Sequence, residues 1–451
     1  MEELIRNHMD DFSRRVQLQT SLVQIAQLAL CLGLRLAALL VEQELERRSR
    51  LPMAWPPCSH CGTPLESKGR LVRLLLLLVG WVSWKRPVGR CPKGCPGHQV
   101  VPLDQELGIG PNQRIGYDVV RVVCALAVFV PYKTAEQLFA QWAPFALSAV
   151  TIWRWVPRMG KRALDLEDGE LAVLAEGKEP ELETMDAETR ELPMVMGADG
   201  VMVPFRPKGG SPQGRTCWKE VKVGILARGK PHITRTGKTI QRLVHRRTVA
   251  FLGTLEQFRP RFWLEALRQD VKQAPVVAWI SDGSRGLWGL FSSMFSSEAL
   301  LRKVRAVLDF YHAVQYIWRG VVQCLQGDEE LAVPWFARAR HTIHHQGVDT
   351  VLRELDEVLR SEELSKEARH MLDNLCAYLT RHLDHMAYPL LQSLGLPLGS
   401  GMVESCCKWL IQQRFKGVGM RWSEQGFGRL LILRQMWMND RYSSLFDGPA
   451  M

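Results

Sequence analysis

Apolar residues recur at helical spacing through residues 1–52, and Pro52 closes that segment. Its most apolar run, 22–41, is interrupted by Gln24, Gln27 and Arg35. It reads as an amphipathic helix that packs on itself or on a partner. A membrane span would need about 20 residues with few polar breaks. The pattern changes over 53–103, where 70–79 and 81–90 read as strands. Residues 104–164 return to a helical period, and 165–191 read as a surface helix or linker. From Met194 the chain alternates with a period of two. Residues 194–205, 218–227 and 247–255 read as three consecutive strands. A helix over 258–270, a strand over 274–283, a helix over 285–295 and a strand over 303–312 follow. Residues 320–392 read as helical throughout, and 400–440 as one or two further helices.

Three adjacent strands make an antiparallel meander, and the alternation after them adds parallel strands by crossover. That is the order of an RNase H-like mixed sheet. The fold class expected is therefore multidomain α+β. An N-terminal helical segment (1–52) precedes a Cys-bearing ribbon (53–103), a helical DNA-binding region (104–164) and an acidic linker or helix (165–191). An RNase H-like core (192–319), a helical insertion (320–395) and a segment completing the core (396–451) follow.

Composition narrows the function classes. A chain of 451 residues, 46% hydrophobic and 23% charged, can bury a sizeable core and is neither disordered nor collagenous. Net charge is +11, which favours polyanionic partners. The surplus is uneven. Between Asp165 and Glu191 stand eleven Asp and Glu against only Lys178 and Arg190, so the remainder carries +20. A protein this basic outside one acidic stretch reads as phosphate-binding. The start is polar and mixed in charge, with no secretory pattern. The eleven cysteines are then expected in a reducing compartment, as ligands or packing residues.

Four of them have ligand spacing. Cys58 and Cys61, then Cys91 and Cys95, bracket the two strand-like runs, which puts four thiolates at one point and suits one tetrahedral structural Zn²⁺. His60 and His98 stand nearby as substitutes that are not needed. Residues 132–140 and 148–156 read as helix, turn, helix, the second capped by Ser148 and displaying Thr151, Arg154 and Arg158. A plain helix pair has the same pattern. Asp199 lies in the first strand of the core, and Asp282 ends an apolar strand ahead of Gly283. Glu404 falls in the first turn of a helix starting at Ser400, where the helix dipole favours its charge. Three such carboxylates can hold two divalent ions, Mg²⁺ or Mn²⁺. Asp309 and His312 follow the last strand. Lys408, Arg414, Lys416, Arg421 and Trp422 form a basic, aromatic-laced run suited to DNA backbone contact and base stacking.

These residues together resemble the bacterial insertion-sequence DDE transposases of the ISKra group, distantly related to Mutator-like elements. The resemblance is carried by the Cys58/Cys61 and Cys91/Cys95 ribbon, the segments around Asp199 and Asp282, residues 218–224, 308–318, 395–405 and 414–426. It implies that Asp199, Asp282 and Glu404 form a catalytic triad, with Asp309 and His312 as the supporting Asp-x-x-His signature. It further implies metal-dependent cleavage at element ends and strand transfer into target DNA, by a homo-oligomer at least dimeric, in the bacterial cytoplasm and nucleoid, away from membranes. Two rivals share the sequence features: a structure-specific nuclease on the same fold, and a domesticated, non-catalytic zinc-ribbon DNA-binding protein.

Overall fold

A computed structural model describes residues 2–19, 21–96, 99–207, 214–237, 239–296, 302–324, 328–360 and 364–446. They fall into two compact units, Met1–Met159 with Arg441–Met451, and Gly160–Asp440.

In the first unit, helices Glu2–Val16 and Leu22–Arg48 precede a two-stranded hairpin, β1 (Glu66–Leu77) and β2 (Gly80–Arg90). The second helix departs from the amphipathic expectation, since its apolar residues occupy all sides. It is long and apolar enough to cross a membrane, by length and composition. Its C-terminal part docks on the hairpin. Glu42 accepts a hydrogen bond from the Ser83 amide (2.8 Å) and Glu46 one from the Lys85 amide (3.0 Å). Ala38 is buried with Leu75, Val82 and Trp84 beneath them. Helices Tyr117–Phe129 and Tyr132–Ala140 follow, and then the start of a longer helix, Ala149–Ala175.

The second unit is built on a five-stranded sheet of β3 (Met194–Phe205), β4 (Cys217–Ile233), β5 (Thr239–Leu252), β6 (Val277–Ser281) and β7 (Val304–Leu308). The spatial order is β5-β4-β3-β6-β7. The first three strands pair antiparallel, and β6 and β7 add in parallel beside β3. Every residue of β6 is buried because both faces of the sheet are covered. On one face Met194, Met196 and Trp279 pack under Phe258 and Phe262 of helix Leu255–Arg268 and Phe295 beyond helix Arg285–Met294. On the other, Val195, Ala278, Ile280 and Val307 join the helices between Phe310 and Ser393.

Two expectations change here. The last strand stops at Leu308 instead of running on to residue 312, because Asp309 accepts a hydrogen bond from the His312 amide (2.9 Å) and so caps helix Phe310–Cys324. The acidic stretch is no free linker. Its first part completes helix Ala149–Ala175, and its carboxylates strap the unit. Glu167 and Asp168 hold Arg261, Glu170 holds Arg268, Glu179 holds Lys272, Glu183 holds Arg247, and Glu188 holds Lys230. Much of the basic surplus facing this segment is therefore neutralised inside the protein.

Candidate active site

The register of the sheet sets the site. Gly197 pairs with Ile280, and Ser281 pairs with Leu308. Two residues beyond the first pair come Asp199 and Asp282, and one residue beyond the second come Asp282 and Asp309. Three aspartates thus stand in one row: Asp282 and Asp309 just past the carboxyl ends of β6 and β7, and Asp199 at mid-strand in β3, two residues beyond its last pairing with β6.

Glu404 reaches this end from helix Gly401–Cys406, which continues through a π-helical turn, Cys407–Gln412. Such turns are rare and cluster at functional sites. The helix lies against β3, burying Val403, Leu410 and Ile411. A Cβ placed on Gly197 would stand 2.6 Å from Val403 Cγ2 and 2.9 Å from the Ile280 carbonyl, so the contact requires glycine. Ser400 does not cap this helix with its side chain. Its amide (2.5 Å) and hydroxyl both donate to Asp309 Oδ2. Asp309, 4% exposed, is thereby the tie between the end of β7 and the start of the Glu404 helix.

The carboxylates sense one another. The Asp199 carboxyl is pushed above the usual carboxylate range, first by burial and then by the charges of Asp282, Glu220 and Glu404, against the Gly200 amide, which lowers it. Glu220 is a fourth carboxylate that sequence reasoning missed. It lies on β4 so close over Gly200 that a Cβ there would collide with it, and it pairs with Lys222. Residues 218–224 alternate, but pairing with β3 sets Glu220 opposite Met202 and Asp199 opposite Val223, so no sequence pattern brings the two together. Asp282 Oδ1 accepts from the Ser284 amide (3.0 Å). Glu404 and Asp309 share the wall of a 520 Å³ cavity with Tyr311, His312, Trp318 and Phe336. The donor set is all hard oxygen, which fits Mg²⁺ or Mn²⁺. It is an open set: among the described residues, only Cys58, Cys61, Cys91 and Cys95 bring three or more ligand atoms within 4.8 Å of one another.

That cysteine cluster meets the expectation of a metal-holding ribbon. Gly62 (φ 69°) and Gly94 (φ 70°) supply the left-handed turns of its two knuckles. Cys61 and Cys91 sulfurs lie 3.5 Å apart. Hydrogen bonding to Thr63 pulls the Cys61 thiol down to about 6, while Cys95, bonded to Cys61 and Cys91, is pushed up to about 12. Four thiolates cannot share this point without a cation, so the donors and spacing fit Zn²⁺. His98 lies outside the described residues.

The remaining expected residues divide by exposure. Arg154 and Arg158 are exposed at the start of helix Ala149–Ala175, Arg158 stacked 5.2 Å over Trp155. Thr151 is half-buried, and its hydroxyl lies 3.0 Å from that of Ser148. Glu136 joins the two helices by accepting from the Ala149 amide (3.0 Å). Lys408 and Lys416 are exposed, the latter 5.7 Å over Trp218. Arg421 is half-buried and donates to the Gly214 carbonyl (2.9 Å). Trp422 pairs its backbone with the end of β3 and donates its indole N–H to the Phe415 carbonyl (3.0 Å). Arg414 differs from the expectation. It is 2% exposed, with its guanidinium 5.3 Å from the Trp422 ring, so it offers no surface to DNA.

No protein-family model and no curated protein matches the chain. Among solved structures it is similar to the Drosophila P element transposase strand transfer complex, at 10% identity and a TM-score of 0.26, over 74% of this chain and 81% of that one.

Proposed function

We propose that the protein is a DNA transposase of the DDE type on an RNase H-like core, cutting phosphodiesters at the ends of an insertion sequence and joining the freed 3′-hydroxyl to target DNA. The observation that carries this reading is the convergence of Asp199 and Asp282, from adjacent parallel strands, with Glu404, from a helix packed on the same sheet. Divalent ions held by these oxygens would activate the attacking hydroxyl and stabilise the leaving one. The chain's own contribution is placement. β3 and β6 fix two carboxylates in register, and Asp309, through Ser400, fixes where the third begins. Glycine follows both aspartates: Glu220 fills the space over Gly200, and Gly283 (φ 93°) turns the chain after β6. The four-cysteine ribbon is proposed to hold one Zn²⁺, and helix 149–158 with Lys408, Lys416, Arg421 and Trp422 to contact DNA in a homo-oligomeric complex of two or more copies. In this reading the chain belongs with the ISKra-like, distantly Mutator-like, bacterial enzymes and works at the nucleoid.

The test is an in vitro reaction with Mg²⁺, a duplex carrying the DNA that flanks the gene, and a supercoiled target. Joining of the flanking end to the target is the expected result. Cleavage without joining would reassign the protein as a nuclease, and no metal-dependent reaction at all would leave it a binding protein.

A further inference from the structure

Between Glu220 and Glu256 the chain has no acidic residue, and Lys and Arg recur throughout. This segment folds as the β4–β5 hairpin, whose pairing runs from Val221↔Leu252 out to Ile233↔Thr239. The pairing of β4 with β3 ends at Arg228↔Met194, so the outer half, from Lys230 to Arg246, is an arm beyond the sheet proper. Its cations sort into two sets. Those at the base are used internally: Arg228 donates to the Leu192 and Gln269 carbonyls, Arg247 pairs with Glu183, and Lys230 pairs with Glu188. Arg235, Arg242 and Arg246 are exposed, and among the described residues they have no carboxylate partner.

Two of those three arginines face the catalytic helix. Arg242 and Arg246, with His232, line one side of a 440 Å³ cavity whose other side is Met402, Ser405 and Trp409. Met402 and Ser405 flank Glu404 in sequence, so the helix separates the carboxylate-bearing cavity from this basic one. One strand passing Glu404 would find phosphate-binding guanidiniums and an indole on the far side of the same helix.

We infer that the outer β4–β5 arm and the Trp409 face of the Glu404 helix form a groove that grips the DNA backbone beside the cleavage site, Arg242 and Arg246 each neutralising a phosphate. The inference rests on the proposed DNA-processing function and adds a contact surface to it.

The experiment measures binding of the full-length protein to a fluorescein-labelled duplex of mixed sequence by anisotropy, across a series of KCl concentrations. Each phosphate contact contributes roughly 0.9 to the slope of log affinity against log salt. The Arg242→Gln/Arg246→Gln double variant is expected to lower that slope by about 2 and to bind about tenfold more weakly at low salt. Arg242→Lys/Arg246→Lys keeps the charge and is expected to keep the slope. Arg353→Gln, an exposed cation on helix Asp349–Leu359, serves as the control. An unchanged slope in the glutamine double variant overturns the inference, as does an equal fall in Arg353→Gln, which would mark a diffuse effect of net charge. A wild-type protein that binds the duplex without salt dependence would instead overturn the functional reading itself.

Discussion

Asp199 carries the most legible electrostatics of the site. Burial and the charges of Asp282, Glu220 and Glu404 raise its carboxyl above the ordinary 3.8. A carboxyl raised on folding favours the native state while protonated, so this contribution to stability declines as pH rises from the unfolded value through the raised one. Asp199→Asn should therefore melt higher than wild type in metal-free buffer near pH 7, with the difference shrinking toward about pH 4. Thermal melts across that range check this, and a variant that melts lower at pH 7 contradicts it. Asp309 acts through hydrogen bonds. It accepts three hydrogen bonds from two elements, and an amide in its place must turn a donor toward one of those donors. Asp309→Asn should cost about 1–3 kcal/mol in urea unfolding and slow cleavage by misplacing the Glu404 helix. Asp199, Asp282 and Glu404 stand out in the sequence because each sits beside glycine or serine, on a strand, just past one, and in a first helical turn. Glu220 and the Ser400–Asp309 tie were not legible, because they depend on which strands and loops become neighbours. Arg414 was misread for a related reason: a cation in a basic run looks solvated until packing puts it in the core.

Among the elements, the strands of the core were read from alternation with ends off by a few residues. The larger departures arose where a local pattern met a tertiary partner. The β4–β5 hairpin extends well past the apolar stretches, because antiparallel pairing continues into polar sequence where no third strand is present. The acidic stretch looked like a linker on charge alone, and becomes a strap because its carboxylates meet Arg247, Arg261 and Arg268. The four-cysteine ribbon was legible in full, since ligand spacing around a hairpin is a local property. Protein purified without chelators should carry about one zinc per chain, and Cys58→Ala should lose both the metal and the fold of the β1–β2 hairpin. Metal analysis with circular dichroism checks both, and unchanged zinc content in the variant contradicts the assignment.

At the scale of the whole molecule, a metal ribbon and helix pair belong to one unit and a carboxylate-bearing mixed sheet to the other. Acidic residues concentrate in the strap, and exposed cations at the helix pair, the β4–β5 arm and the C-terminal segment. The helices between Phe310 and Ser393 cover one face of the sheet and contribute Trp318 and Phe336 to the Glu404 cavity, so they belong to the site as well as to the core. Asp199, Asp282 and Glu404 acting as one site is the proposal on which the rest depends. It is tested most directly by following release of the 3′-hydroxyl strand from end-bearing DNA on a denaturing gel, in Mg²⁺, for wild type, Asp199→Asn, Asp282→Asn and Glu404→Gln. Each variant should bind the DNA as wild type does and cut it slower by on the order of 10³-fold or more, the loss of several kcal/mol of transition-state stabilisation. Wild-type cleavage by Glu404→Gln, with Asp309→Asn inactive in its place, would contradict the account and move the third carboxylate to the end of β7.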